Sequence, residues 1–154
     1  MSTEYDRRQF MQAGLAISAI AAAANPKAAK AQPAAKLPPK LSTHALDTYT
    51  GKQAAGIRID LYAIDGENRK LLKSVRANEE GRVTENLLNE NEMKVGRYEM
   101  VFYVAEYYKK SGIAQTTPEF LDIVPIRIAI YDATSRYHVP LYFSPWGFMT
   151  YRGS

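Results

Sequence analysis

Cysteine does not occur in the 154 residues, which excludes a disulfide framework, a thiol nucleophile and every cysteine-based metal cluster. Histidine is almost as scarce, with His44 and His138 the whole supply. Two imidazoles without a nearby third ligand fall short of the three protein ligands typical of catalytic zinc, so neither a metal site nor a cofactor is expected. A Gly-rich phosphate loop, a nucleophile elbow and internal repeats are also missing. The net charge is only +4, and the lysines and arginines are scattered among acids without a basic run, which argues against a nucleic-acid partner. The chemistry of the chain therefore has to come from imidazole, guanidinium and hydroxyl groups.

The first residues do not read as part of a fold. The run D-R-R-Q-F-M-Q (Asp6 to Gln12) sets twin arginines ahead of an apolar, Ala-rich stretch from Ala13 to Ala24, and Ala29-Lys30-Ala31 offers a small-x-small cleavage site. This pattern resembles a bacterial twin-arginine export signal. The apolar stretch is far shorter than the roughly 20 strongly apolar residues a spanning helix needs. Residues 1–31 are thus expected to be a cleaved signal peptide, which would leave a periplasmic protein with no membrane contact. Gln32 to Lys40, Q-P-A-A-K-L-P-P-K, has the composition of an extended linker, so the domain is expected to span residues 41–154.

From Leu41 onward the apolar period is two. Ile57, Ile59, Leu61 and Ala63 alternate with Arg58, Asp60 and Tyr62. Tyr98, Met100, Phe102 and Val104 alternate with Arg97, Glu99 and Tyr103, with Val101 breaking the polar set, and Ile126, Ile128 and Ile130 interleave with Arg127, Ala129 and Tyr131. Turn signals lie between the runs at residues 50–52, 65–68 and 78–81, and short strands so spaced predict an all-β sandwich. One helix interrupts them, over Ala105 to Ser111 with Gly112 placed to cap it. Thr84 to Val95 reads as a loop whose Leu87, Leu88 and Met93 touch the core.

The final stretch is unusual for a tail. Val139 to Phe143 reads as a strand, Ser-Pro-Trp-Gly (Ser144 to Gly147) as a turn, and a second short extended run leads to Tyr151, Arg152, Gly153 and Ser154. Chain termini are normally frayed, so a tail rich in aromatic, cationic and hydroxyl groups is expected to be tied down within the fold. His138 stands at its start. His44, in L-S-T-H-A-L-D, shares a strand face with Ser42 and Leu46. Taken singly, each imidazole fits a structural hydrogen bond, pH sensing or ligation equally well.

Together these segments carry a specific resemblance. L-S-T-H-A-L-D-T-Y-T-G-K-Q-A-A-G-I (Leu41 to Ile57), E-E-G-R-V (Glu79 to Val83), G-R-Y-E-M-V-F (Gly96 to Phe102) and R-Y-H-V-P-L-Y-F-S-P-W-G-F-M-T-Y-R-G-S (Arg136 to Ser154) resemble the 5-hydroxyisourate hydrolase, or transthyretin-related, family along the whole domain. The resemblance implies a transthyretin-like β-sandwich of two four-stranded sheets with one short helix. It also implies a homotetramer with sites at the dimer-dimer interface, and hydrolysis of 5-hydroxyisourate to 2-oxo-4-hydroxy-4-carboxy-5-ureidoimidazoline in urate (purine) catabolism. Its catalytic set falls on His44, Arg82 and His138, and its substrate-binding tail on Tyr151, Arg152, Gly153 and Ser154.

Three positions depart from that pattern, and Arg136 stands at one where family members vary. Phe148 and Met149 stand where the family commonly has Tyr and Ser, and Gln53 replaces a usual proline. Alternation puts Phe148 on a face with Thr150 and Arg152, and Met149 on a face with Tyr151 at the border of the expected pocket. Two other readings use the same features: a non-catalytic small-molecule carrier of the transthyretin fold, and a secreted sandwich serving as an interaction module. Carriers of that branch lack both the Y-R-G-S ending and the His and Arg set.

Overall fold

In the computed structural model, residues 38–153 are described. The expected signal peptide, most of the linker and Ser154 lie outside the described residues. The three alternating runs become β4 (Arg58–Asp65), β6 (Gly96–Phe102) and β7 (Val124–Ile130). Every second side chain enters the core, with Ile59, Leu61, Met100, Phe102, Ile126 and Ile130 all buried. Each contributes on the order of 1.5–3 kcal/mol by leaving water. Val101, which breaks the polar alternation, is buried as well.

A fourth strand joins this sheet that the alternation does not predict. It is β5 (Asn68–Arg76), and the antiparallel order is β5-β4-β6-β7. Leu71 and Leu72 are adjacent and both exposed, so an edge strand with a solvated outer surface leaves no period of two to read. Gly66, at φ 58°, opens the two-residue turn that joins β4 to β5. A register shift opposite Leu61 and Tyr62 bends the pair.

The second sheet is built from both ends of the domain. Its order is β10-β9-β2-β3, from β10 (Gly147–Thr150), β9 (Leu141–Ser144), β2 (Ala45–Asp47) and β3 (Lys52–Gln53). Strands β2 and β9 run parallel, and so do β1 (Lys40–Ser42) and β8 (Arg136–His138) directly above them. The bonds Val139 N–H to Ser42 O (3.0 Å) and Leu141 N–H to His44 O (2.9 Å) join the two pairings into one ladder. Pro140 lies between those donors, so its missing N–H points away from the ladder and removes nothing from it. Lys40, expected in the linker, is already paired with Arg136.

The expected sandwich of two four-stranded sheets with one short helix is present. Helix α1 (Val104–Lys110) starts one residue earlier than its composition suggests, ends on Ser111, and is followed by Gly112 at φ 68°. Tyr108 is fully buried and donates a 2.7 Å hydrogen bond to the buried Asp47 carboxylate, which also accepts from the Tyr49 and Thr50 backbone. Tyr107, Tyr108 and Phe143 pack edge to face, which fastens the helix to β9. The loop between β5 and β6 does touch the core, since Leu87, Leu88 and Met93 are buried. Among the described residues no helix is long and apolar enough to cross a membrane.

Candidate active site

Alternation along the β1/β2 and β8/β9 ladder sorts its side chains onto two faces. Leu41, Thr43, Ala45, Asp47, Tyr137 and Val139 are buried, while Ser42, His44, Leu46, Arg136 and His138 are only half-buried on the opposite face. The parallel register then aligns Ser42 with His138 and Lys40 with Arg136. Two histidines 94 residues apart in sequence thereby meet, with His44 Nδ1 2.9 Å from His138 Nε2. The ring centroids are 4.9 Å apart with planes 22° from parallel, so the rings touch through their nitrogen edges and not face to face. Ser42 Oγ lies 3.0 Å from His138 Nδ1. Both nitrogens of His138 are therefore engaged, and in His44 Nε2 is left for a ligand.

Both imidazoles titrate below the ordinary value of 6.5. Burial is the main cause in each. For His44 the His138 ring and then the Arg82 charge add to it, and for His138 the charges of Arg82 and Lys40. At neutral pH the pair is consequently uncharged, joined by an N–H···N hydrogen bond, and able to accept a proton.

Arg82 reaches the pair through a backbone device. Asn78 Oδ1 accepts the N–H groups of Glu80 and Arg82, each at 3.0 Å, and Asn78 N–H returns a 2.8 Å bond to Arg82 O. Gly81 completes the turn at φ 68°, and its carbonyl accepts Ala45 N–H at 2.8 Å. Arg82 thus forms a β-bridge opposite His44, with its side chain exposed. Gln53, in place of the usual proline, lies beside this turn, with its Oε1 3.2 Å from where a Gly81 Cβ would stand.

The tail is tied to the end of β8. His138 and Gly153 exchange two backbone hydrogen bonds, of 3.2 and 2.6 Å. A Cβ on Gly153 would stand 3.3 Å from that of His138, so glycine permits the approach. Tyr151 stacks on Tyr142, whose ring meets His44 edge-on. Met149 is the cross-strand partner of Tyr142 and is exposed on the same face as His44. Phe148 is also exposed, on the other side of β10. Arg152 points away from His44, with its guanidinium 4.9 Å from the Tyr137 ring centre and 5.8 Å from that of Tyr131. Ser154 lies outside the described residues.

A cleft of about 350 Å³ opens beside His138 and Arg82, lined also by Lys40, Ser42, Asn86 and Arg136. Of these, Ser42, Lys40, Asn86 and Arg136 were not singled out from sequence as site residues. Alternation does place Ser42 and Lys40 on the face of His44, but nothing local reveals that β8 lies alongside. Among the described residues no group of three or more His, Asp or Glu is placed to hold a metal ion. A neutral imidazole pair beside an exposed guanidinium can take up a proton and stabilise an oxyanion, the two needs of a hydrolytic attack on a carbonyl.

Comparison with known proteins agrees with that chemistry. Residues 41–153 match the profile of the HIUase/Transthyretin family. The chain is 45% identical over 115 residues to 5-hydroxyisourate hydrolase 2 of Rhizobium meliloti, covering 75% of this chain and 96% of that enzyme. The solved structure of Klebsiella pneumoniae 5-hydroxyisourate hydrolase superimposes with a TM-score of 0.61 at 28% identity, over 75% of this chain and 99% of the other. An (S)-allantoin synthase crystal structure gives a TM-score of 0.70 at 38% identity, over 75% of this chain but only 43% of the synthase.

Proposed function

The chain belongs to the HIUase/Transthyretin family, and from that premise we infer that it is a 5-hydroxyisourate hydrolase acting in urate catabolism, opening its substrate to 2-oxo-4-hydroxy-4-carboxy-5-ureidoimidazoline. The observation that carries the mechanism is the 2.9 Å contact between two uncharged imidazoles next to Arg82. Water adds its oxygen to a ring carbonyl, the ring C–N bond opens, the nitrogen leaves as a ureido NH2 after receiving one of the water protons, and the carbonyl carbon ends as a carboxyl group that ionises by releasing the other. His44 Nε2 takes the proton of the attacking water, and the charge it acquires is shared with His138 through their hydrogen bond. Ser42 holds His138 from its other side, so the pair keeps its orientation through the cycle. The Arg82 fork of donors faces the oxyanion, and the proton then passes to the departing nitrogen.

We further propose that the enzyme is a homotetramer whose sites lie where dimers meet, because the face bearing His44, Tyr142 and Met149 is open in the single chain. Its twin-arginine leader would export it to the periplasm. Gel filtration of residues 32–154 should give a mass near four chains, and osmotic shock of cells carrying the full sequence should release it. A monomeric mass, or retention in the cytosol, would remove the respective proposal.

The reading as a whole is tested by the ultraviolet decay of 5-hydroxyisourate generated in place by urate oxidase. Residues 32–154 should accelerate it. An assembled tetramer that leaves the decay unchanged would remove the reading.

A further inference from the structure

The cleft beside His138 carries more positive charge than the reaction centre uses. Lys40 and Arg136 are register partners at the top of the β1/β8 ladder, on the same face as Ser42 and His138, and both line the cleft with Arg82. No Asp or Glu is among the described residues that line it, and none of the ion pairs among the described residues involves Lys40, Arg82 or Arg136. Several cations elsewhere are paired, as where Arg69 and Arg127 share Glu99 and Arg76 and Lys110 share Glu106, while others such as Lys52 and Lys94 stand singly; what sets Lys40, Arg82 and Arg136 apart is that they line one cleft. Arg136 is steadied at one end by donating to Pro38 O at 3.1 Å, which leaves the rest of its fork available. Three unneutralised cations around one concave site form a field that draws in an anion.

We infer that Lys40 and Arg136 form a second anion subsite, which holds the edge of the heterocycle remote from the bond being cleaved. This rests on the hydrolase reading above. Along a strand two residues span about 7 Å and four about 13 Å, so the pair stands about 7 Å from Ser42 and His138 and meets a heterocycle seated at His44 through the length of the Lys40 and Arg136 side chains. A urate-derived ring suits that spacing chemically. At that edge the five-membered ring carries a carbonyl between two nitrogens, and its oxygen, or the anion left when the adjacent N–H is lost, can be shared by a lysine and an arginine. Arg82 serves the oxyanion at one end of the ring and the Lys40–Arg136 pair orients the other. Lys40 also reaches the catalytic pair through space, since its charge helps keep His138 neutral.

The test is steady-state kinetics of Lys40→Gln, Arg136→Gln and the double variant, with 5-hydroxyisourate made in place by urate oxidase. Each half-exposed side chain can be replaced without opening the core. Each single change should raise KM about tenfold, the equivalent of one charge-assisted hydrogen bond, while kcat holds. Arg136→Lys should recover part of the loss, and the double variant should lose most of the dependence of KM on added salt. Wild-type turnover with KM and its salt dependence unchanged in the double variant would overturn the subsite and leave the hydrolase reading standing. Failure of that reading looks different, as no acceleration by the wild type. The subsite is then decided by calorimetric titration with urate monoanion, whose equal affinity for wild type and double variant would overturn it.

Discussion

His44→Gln should lower kcat about a thousandfold, the scale of a general base removed from a proton-transfer step, with the melting temperature nearly unchanged. The side chain is half-buried on the outer face of its sheet and its removal opens no core cavity. The amide can still hydrogen-bond to His138 but cannot take up a proton. In the unaltered protein the same group sets the response to pH. Its pKa is lowered, so the neutral form predominates at pH 7 and is lost as pH falls through a value below 6.5. The acid limb of kcat/KM should therefore inflect below 6.5 and be missing from the residual activity of the variant. A variant with more than a tenth of the original kcat would dismiss His44 as the base and transfer that role to His138.

Gly81→Ala should damage fold and site together. The added Cβ would collide with the Ala45 carbonyl, which accepts Ala54 N–H, and would stand 3.1 Å from Ala54 N. Backbone atoms within a sheet cannot turn aside as a side chain can. The φ of 68° adds the strain of a left-handed alanine. A combined loss of about 2 to 4 kcal/mol is expected, with a fall in melting temperature of about 10 °C or more. Arg82 moves with the turn, so activity should fall further than the folded fraction. Gly56→Ala is the control. Its φ is 75° but nothing lies within 4 Å of the added carbon, so it should cost about 1 kcal/mol. Equal melting temperatures for the two variants would show that the turn yields freely and does not fix Arg82.

How much of this was legible in the sequence depended on whether the information was local. Strands β4, β6 and β7 show their period because one face of each is buried, whereas β5 lies at an edge and displays Leu71 beside Leu72. Helix α1 could be read from its lysines and from Gly112. The site was another matter. Composition and spacing left each histidine open to several roles, and only the family resemblance put His44, Arg82 and His138 together. The physical reason is that their contacts come from a parallel register between segments remote in sequence, which no local pattern encodes. Ser42 illustrates the limit: alternation placed it on the face of His44, yet its partner is His138, 96 positions away. Lys40 looked like linker because three prolines stand close before it, and its pairing with Arg136 is again a property of the ladder.

That ladder also fixes when competence arises during folding. The sheet β5-β4-β6-β7 closes entirely within residues 58–130, and its first hairpin needs a loop of two residues. The β1/β2 and β8/β9 pairings join segments nearly the length of the domain apart, so they carry the largest loop-closure entropy of any strand pairing described. A chain emerging from the ribosome can complete one sheet while the imidazole pair does not yet exist. Turnover is thus a reporter of the whole domain's folding, registered only when β1 and β2 have found β8 and β9.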